Sequence, residues 1–241
     1  MTVRITFLGT GNAFAAGGRS HACILVRHDG GTLLLDCGGS SLPAITRTLE
    51  PGAVDAIAVT HLHGDHFGGI PFLLDEQKWN GRTRPIVMGG PRSLEERVRQ
   101  VAHGYRMDLS SLPYDARFVV LGPDPTPLAG AQVTALPVQH SPDSEPHGLR
   151  VRVGGKLIAY TGDAVWTDAL PALADGADLL ISECTWFEKR DPVHLNAQDL
   201  AEHKNDLRAR RVLLTHLGVE SLANRSRLPF EVAEDGMEIE L

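Results

Sequence analysis

Three histidines and one aspartate lie within six residues in the segment His61-Leu62-His63-Gly64-Asp65-His66, here called the His61–His66 cluster. Imidazoles and carboxylates in this mixture are good ligands for divalent transition metals, and they pack poorly together unless a cation lies between them. Catalytic zinc typically takes three protein ligands, so four local donors together with more distant ones indicate two metals. A polar surface loop that happens to contain histidine is the alternative, and the spacing argues against it.

The elements around this cluster must present its side chains to one point. The apolar run Ala56–Val59 predicts a short buried strand, and alternate side chains beyond its end, those of His61 and His63, project from the same side. Gly64 allows the backbone to turn sharply. The last two members of the cluster then fall at the start of a helix predicted to continue through Phe72–Leu74.

Three more apolar runs each end in a residue that can bind a metal. The runs are Val133–Gln139, followed by His140; Leu157–Gly162, followed by Asp163; and Val212–Thr215, followed by His216. Strand ends that meet at one edge of the sheets would bring these side chains to the His61–His66 cluster. Each residue taken alone has an ordinary structural explanation as well.

The pattern His61-x-His63-x-Asp65-His66, with Thr161-Gly162-Asp163 and Thr215-His216 further on, resembles the metallo-β-lactamase superfamily. The resemblance implies an α/β fold, the four-layer αββα sandwich. It also implies two divalent metal ions, for which Zn²⁺ is favoured and Mn²⁺ or Fe²⁺ would also be accepted. In the diiron oxygen reductases of this fold the position of His63 is usually Glu, which argues against a redox site.

Carried over position by position, the resemblance divides the candidate ligands between two metals. One metal is held by His61, His63 and His140; the other is held by Asp65, His66 and His216; Asp163 bridges them. Two such cations lower the pKa of a shared water from about 15.7 toward neutrality, which implies a metal-bridging hydroxide as the nucleophile. Asp36, at the end of a predicted strand, is expected to orient a ligand imidazole from outside the ligand shell, with turn stabilisation as the alternative.

A second resemblance concerns Ile181–Trp186 and His194–Ala197, which are similar to the ribonuclease Z branch of the superfamily. In that branch a Glu orients a His that protonates the leaving oxygen, and a strongly basic leaving group such as a ribose oxygen needs this acid. The candidate catalytic residues are therefore Asp65, Glu183 and His194. A solvent-facing residue at the start of a helix is the alternative for His194.

The ribonuclease Z resemblance extends over nearly the whole chain, but one feature of that branch is missing. Its transfer-RNA processing members carry a protruding basic arm, in the long bacterial form between the positions of His140 and Asp163, where only 22 residues lie here. We therefore expect a phosphodiesterase acting on a small phosphodiester such as a cyclic nucleotide or a 2′,3′-cyclic phosphate. The alternatives are transfer-RNA 3′ processing, hydrolysis of an ester, thioester, lactone or sulfate, and a non-catalytic metal-binding protein.

Length and composition set the remaining expectations. A chain of 241 residues with 42% hydrophobic and 22% charged residues is predicted to form a single domain over residues 1–241. The net charge of −7 opposes non-specific binding to nucleic-acid phosphates, so a transfer-RNA partner is disfavoured. Neither a membrane-spanning run nor a signal-like N-terminus is evident, which predicts a cytoplasmic protein without membrane contact. Related enzymes are commonly dimers, so a homodimer is expected.

Cysteines and the remaining histidines are given structural roles. Cys23, Cys37 and Cys184 form no paired motif and lie in or beside apolar segments, so we expect them to be reduced, buried and inert, with metal or redox roles as the alternative. Surface or packing roles are expected for His21, His28, His103 and His203, and His147 stays ambiguous.

Most other segments are predicted as strands with interspersed helices, which fits sheets that carry helices on their outer faces. A hairpin is expected at His28-Asp29-Gly30-Gly31, and one strand, Arg117–Leu121, within the loop-like segment Asp108–Gly130. A helix is predicted over Asn196–Leu207. The glycines before a helix from Ser93 suggest either an anion-binding turn or an ordinary strand-to-helix turn.

Overall fold

Two seven-stranded sheets form the centre of the protein in a computed structural model, which describes residues 2–241. The strands of the first sheet are β1 (Arg4–Gly9), β2 (Cys23–His28), β3 (Gly31–Leu35), β4 (Ala56–Ala58), β5 (Ile86–Gly90), β6 (Ala116–Val120) and β14 (Glu238–Glu240). Those of the second are β7 (Thr126–Leu128), β8 (Ala131–Pro137), β9 (His147–Val153), β10 (Lys156–Tyr160), β11 (Leu179–Glu183), β12 (Val212–Thr215) and β13 (Glu231–Val232). The orders are β14-β1-β2-β3-β4-β5-β6 and β13-β12-β11-β10-β9-β8-β7.

Helices cover the outer faces of both sheets. They are α1 (Ser41–Thr48), α2 (Gly64–Phe67), α3 (Ile70–Trp79), α4 (Leu94–Gly104), α5 (Ala169–Ala174), α6 (Ala197–Glu202) and α7 (Val219–Ala223). One apolar core lies between the sheets and contains residues of both, such as Phe7 and Tyr160. Two further cores join α1, α3 and α4 to the first sheet and α5 and α6 to the second. The architecture is the αββα sandwich expected from the resemblance.

Strand direction places the chemically important segments at one edge. In the first sheet β3, β4 and β5 are parallel, and in the second β10, β11 and β12 are parallel. Strand β8 runs in the same direction as β10 because β9 is antiparallel to both. Each predicted ligand segment follows the C-terminal end of one of these strands. The carboxyl ends of parallel strands are where such folds present their functional groups.

The single helix predicted after the histidine cluster is wrong, since the chain forms two helices, α2 and α3, separated at Gly68 and Gly69. A Cβ on Gly69 would collide with the backbone carbonyl of Gly38, and a Cβ on Gly68 would collide with that of Gly64. These close approaches let the cluster pack directly against the loop that follows β3. The break therefore serves the site, although local periodicity favours one continuous helix.

Other differences are smaller. The segment predicted as a loop with one strand contains a second short strand, β7, which pairs with β8. Helix α6 ends at Glu202, and residues 203–206 form turns, so the predicted extension to Leu207 is wrong. The hairpin between β2 and β3 is confirmed by their antiparallel pairing, with His28 opposite Gly31. Over residues 2–241, no helix combines the length and apolar character that crossing a membrane requires.

Candidate metal centre

The first group of donors draws side chains from both sheets. The Nε2 atoms of His61 and His140 each lie 3.1 Å from Nδ1 of His63. One carboxylate oxygen of Asp163, Oδ2, lies 3.7 Å from His61 Nε2 and 3.8 Å from His140 Nε2. Three ring nitrogens and one carboxylate oxygen thus converge on a single volume, which is a donor set typical of a divalent metal.

The second group lies beside the first and is fully buried. His66 Nε2 is 3.4 Å from Asp65 Oδ2, and His216 Nε2 is 3.1 Å from the same oxygen. The other oxygen of Asp163, Oδ1, lies 3.3 Å from His66 Nε2 and 3.4 Å from His216 Nε2. The two oxygens of Asp163 therefore face different groups, which is the arrangement that a bridging carboxylate requires.

Two orphaned atoms indicate that a cation fits here. Among residues 2–241, His66 Nε2 and Asp163 Oδ1 are buried and have no hydrogen-bond partner. A buried polar atom without a hydrogen-bond partner costs free energy. These two atoms lie 3.3 Å apart, so their arrangement is unfavourable in the absence of a ligand. A divalent cation would satisfy both atoms. The donor chemistry and the orphaned atoms together fit a divalent metal.

The opposite ring nitrogens of the histidines face hydrogen-bond acceptors. His66 Nδ1 lies 2.7 Å from Asp36 Oδ2, and His140 Nδ1 lies 2.6 Å from the carbonyl oxygen of Val193. His61 Nδ1 lies 3.1 Å from the hydroxyl of Thr60. A proton held on Nδ1 by such a partner leaves the lone pair of Nε2 for the metal. Asp36 lies beyond the donor atoms and against the ring of His66.

Asp36 adopts a backbone conformation that few residues other than glycine adopt. Its φ angle is 59°, in the left-handed region, where Asp is tolerated better than most residues. In this conformation its Oδ1 accepts a hydrogen bond from the backbone N–H of Thr60 at 2.8 Å. His216 is also left-handed, with φ of 57°. Such conformations are concentrated at functional sites, where surrounding contacts maintain them.

The charges of the two groups differ. Burial lowers the pKa of His61 well below its usual value, and the charge of His66 acts in the same direction, which favours the neutral form of His61. Burial also acts to lower the pKa of His66, but the carboxylates of Asp163 and Asp65 outweigh it and raise that pKa. The second group therefore favours a positive charge among its carboxylates, a charge that a bound cation would supply.

Glu183 and His194 form a hydrogen-bonded pair next to the donors. His194 Nδ1 lies 2.9 Å from Glu183 Oε1 and 3.8 Å from Asp163 Oδ2. Burial disfavours the imidazolium form of His194, but the charge and hydrogen bond of Glu183 outweigh burial and raise the pKa of His194 to about 9. The His194 side chain is 20% exposed, so it is accessible to a substrate at the donor groups.

The remaining histidines lie outside the two donor groups. His147 donates from Nδ1 to the carbonyl of Glu145, and its backbone N–H donates to the carbonyl of Thr60. His28 contacts the carbonyl of Ala129, and His203 stacks on Trp166 with ring centroids 4.2 Å apart. His21 packs against the glycines that follow β3. These contacts agree with the packing roles expected from the sequence. For His147, whose role the sequence left ambiguous, they indicate a structural role, because both of its hydrogen bonds go to backbone carbonyls.

The glycine turn before α4 faces a carboxylate from the chain itself. The backbone N–H of Ser93 donates to Glu145 Oε2 at 3.3 Å. Glu145 has a left-handed φ of 52° and lies in the loop that follows His140. The anion at this helix end is therefore an internal side chain, which links α4 to the loop that carries a candidate ligand.

Sequence reasoning missed two residues beside the histidines, Thr60 and Thr185. Each hydroxyl contacts both a carboxylate and a histidine Nδ1. The local signal is weak, because threonine is common at strand ends. The only available indication was that each threonine lies close in sequence to a residue already singled out, His61 in one case and Glu183 in the other.

Solved structures share this architecture. The metallo-β-lactamase fold protein YhfI from Bacillus subtilis superposes with a TM-score of 0.83 at 22% identity, covering 100% of both chains. The short form of human tRNase Z superposes with a TM-score of 0.78 at 27% identity, covering 98% of each chain. The first likeness establishes the fold.

The facing sheets and the His/Asp metal site at their common edge define a metal-dependent hydrolase of the metallo-β-lactamase fold. Residues 3–231 match the family described as Anti-Pycsar protein Apyc1, and the chain belongs to that family. A ribonuclease Z from Haloarcula marismortui is 28% identical over 303 aligned positions, covering 99% of this chain and 96% of the relative. The alignment is longer than the 241 residues of this chain, so the relative carries insertions that are missing here.

Proposed function

We propose that this hydrolase is a phosphodiesterase that acts on small phosphodiesters, such as a cyclic nucleotide or a 2′,3′-cyclic phosphate. The observation that carries the proposal is the position of the Glu183–His194 pair, whose imidazole lies 3.8 Å from the central carboxylate Asp163. A hydrolase that expels a weakly basic leaving group has no need of an acid at this place.

The proposed metals are two divalent cations, with Zn²⁺ favoured by the histidine-rich donors. His61, His63 and His140 would hold one, Asp65, His66 and His216 would hold the other, and Asp163 would bridge them. When bound, the metals supply Lewis acidity toward a phosphoryl oxygen and a nucleophile at neutral pH. The side chains keep the donor atoms in place through contacts such as that between Asp36 and His66.

His194 is proposed to protonate the leaving alkoxide. Its Nδ1 faces Glu183, so the proton delivered to substrate resides on Nε2. Glu183 keeps the ring in this orientation and stabilises the imidazolium form, as a carboxylate partner does for a catalytic histidine. The backbone carbonyl of Val193, which precedes His194, contacts the candidate ligand His140 and so ties the acid to the first donor group.

Several features support a small substrate. A nine-residue segment, 138–146, joins β8 to β9, and Gly154 and Gly155 alone form the turn between β9 and β10. This region of the structure therefore contains no protruding arm between His140 and Asp163. The net charge of −7 also disfavours an extended polyanion as the substrate.

The direct test is turnover of bis-p-nitrophenyl phosphate by the metal-loaded protein. We expect turnover by the wild type and its loss in Asp65→Ala, because Asp65 supplies an oxygen to the second donor group. Asp75→Ala, on α3, is the matched control and should keep the wild-type rate. Equal turnover after complete metal removal would contradict the proposal. A screen of cyclic nucleotides, 2′,3′-cyclic phosphates, thioesters, lactones and sulfates would then identify the substrate class.

Processing of transfer-RNA 3′ ends is the second candidate. It is favoured by one observation, the 28% identity to a ribonuclease Z over 99% of this chain. This function predicts cleavage of a precursor with a 3′ trailer at low salt, where electrostatic binding is strongest. Cleavage of the precursor together with inactivity on every small phosphodiester would favour this candidate over the first.

A further inference from the structure

Two threonine–carboxylate pairs flank the donor groups, one from each sheet. In the first sheet Asp36 accepts hydrogen bonds from the N–H and the hydroxyl of Thr60, and that hydroxyl lies 3.1 Å from His61 Nδ1. In the second sheet Glu183 Oε2 accepts from the N–H of Thr185 at 3.1 Å and from its hydroxyl at 2.6 Å. The Thr185 hydroxyl lies 3.0 Å from His216 Nδ1. The same arrangement therefore occurs twice.

The Thr185 hydroxyl carries a single proton, which limits its possible hydrogen bonds to Glu183 and His216. A hydroxyl has one proton to donate and two lone pairs that accept. The carboxylate oxygen of Glu183 is nearer than the carbonyl oxygen of His216, at 2.6 Å against 3.2 Å, and a charged acceptor makes the stronger bond. The proton of Thr185 therefore goes to Glu183. Its oxygen is left to accept a hydrogen bond from His216.

That bond selects the tautomer of His216. With a proton on Nδ1 donated to Thr185, the lone pair of His216 lies on Nε2. This atom is 3.1 Å from Asp65 Oδ2 and 3.4 Å from Asp163 Oδ1, so it points into the second donor group. The His216 side chain is nearly fully buried. Replacing Thr185 by water as the hydrogen-bond acceptor would therefore cost free energy.

The two carboxylate oxygens of Glu183 accept hydrogen bonds from different side chains, one from His194 and the other from Thr185. Its Oε1 accepts from His194 Nδ1 at 2.9 Å and from the backbone N–H of Ala164, which follows Asp163, also at 2.9 Å. Its Oε2 accepts from Thr185 alone. One carboxylate thus holds the proposed acid through one oxygen and a proposed ligand through the other.

We propose that Thr185 is a positioning residue, whose hydroxyl transmits the hydrogen bond of Glu183 to His216 and so sets the affinity of the second metal site. The inference rests on the proposed function in that it takes His216 as a metal ligand. It goes further by dividing the roles around Glu183. The hydroxyl of Thr185 acts on the proposed ligand His216, whereas Glu183 holds the proposed acid His194 directly.

The test compares three variants by their affinity for Zn²⁺, measured in competition with a chromophoric chelator. Thr185→Val keeps the shape of the side chain but removes the hydroxyl, and we expect binding at one of the two sites to weaken roughly 10- to 100-fold. Thr185→Ser restores the hydroxyl and should restore the affinity. Ser182→Ala is the control, since it removes a buried hydroxyl of β11 that donates to the backbone carbonyl of Glu183.

A second readout is the tautomer of His216 itself. In the zinc-loaded wild type, ¹⁵N-edited NMR of the histidine side chains should show His216 with its proton on Nδ1, protected from exchange with water. The proton should exchange faster with water in Thr185→Val.

Three results would overturn the inference. They are unchanged Zn²⁺ affinity in Thr185→Val, a Thr185→Ser protein as weak as Thr185→Val, or a His216 proton on Nε2 in the wild type. A wild type that binds no divalent metal would instead contradict the proposed function itself. The two failures are therefore distinguishable.

Discussion

At the scale of single residues, the site separates the proposed metal ligands from the proposed acid more clearly than their crowding suggests. His194 contacts Glu183 through Nδ1 and is partly exposed, whereas the nearby His216 is buried and has Nε2 among carboxylates. The two imidazoles lie 5.6 Å apart between centroids; His194 contacts Glu183 directly, whereas His216 is linked to Glu183 through the hydroxyl of Thr185. Position relative to Glu183, and not residue type, distinguishes their proposed roles.

This separation gives a prediction for His194→Ala. Loss of the acid should slow cleavage of a substrate with a ribose leaving group by about 10²- to 10⁴-fold, because an unprotonated alkoxide is a poor leaving group. Hydrolysis of bis-p-nitrophenyl phosphate should change little, since p-nitrophenolate departs without a proton. Steady-state rates on both substrates provide the measurement. Equal losses on both would mean that His194 is not the acid.

At the scale of elements, the close packing of glycine loops brings the histidine cluster against the end of β3. Gly69 begins α3 with helical angles, and its Cα faces the carbonyl oxygens of Gly38 and Cys37. The backbone N–H of Gly69 donates to the carbonyl of Cys37 at 2.9 Å. A side chain at this position would separate the two segments and displace the cluster.

We therefore predict that Gly69→Ala destabilises the protein by about 1–3 kcal/mol, the usual cost of overpacking. Gly104→Ala is the matched control, because it lies at the end of α4 and its Cβ would meet no heavy atom within 4 Å. That change should be neutral or slightly stabilising. Urea unfolding monitored by circular dichroism measures both, and a neutral Gly69→Ala would contradict the role given to this contact.

The packing of helices on sheets also buries all three cysteines. Cys23 and Cys37 lie in the layer between the first sheet and its helices, and Cys184 lies in the equivalent layer of the second. Burial raises the pKa of the Cys23 thiol to about 12, so the reactive thiolate is scarce in the folded protein. The expectation of buried, free cysteines is confirmed.

Burial of the thiols gives two predictions. All three should react with a disulfide reagent such as DTNB only after unfolding, and rapid labelling of the native protein would contradict this.

The pKa of an unfolded thiol is about 8.5, below the folded pKa of Cys23, so the folded state binds more protons at pH values between the two. The contribution of Cys23 to the free energy of unfolding should therefore fall as pH rises through this range.

At the scale of the whole molecule, the donor groups connect the two sheets. His61 and His63 follow β4 of the first sheet, whereas His140 and Asp163 follow strands of the second. A cation bound among them would link the sheets at their common edge, beyond the apolar core that they share. Metal binding is thereby coupled to the stability of the folded chain.

Metal removal should lower the thermal stability. A ligand present at about 1,000 times its dissociation constant stabilises the folded state by about 4.1 kcal/mol if it does not bind the unfolded chain. Exhaustive dialysis against a chelator should therefore lower Tm by roughly 8–16 °C, and Zn²⁺ should restore it. Calorimetry with and without metal provides the measurement. An unchanged Tm would argue against a cation that joins the sheets.

The homodimer and the cytoplasmic location both stay predictions. Light scattering coupled to size exclusion would determine the first, with about twice the mass of one chain expected.

Local patterns in the sequence indicated sheets with helices on their outer faces and the candidate donors at strand ends, whereas the αββα sandwich and the proposed Glu183–His194 pair were expected from the family resemblance. A donor that directly follows an apolar run must lie at a strand end, and parallel strands bring such ends together. The β2–β3 hairpin was equally predictable, since alternation and turn residues are properties of neighbouring positions.

Only the tertiary structure decided how these parts contact one another. The break at Gly68–Gly69 depends on backbone from a distant loop, and the two oxygens of Asp163 face different groups only once the sheets are packed. Thr185 contacts a histidine 31 positions away, and a hydroxyl has no sequence signature for its partner. Contacts of this kind depend on the relative position of two separately formed sheets, which no local pattern encodes.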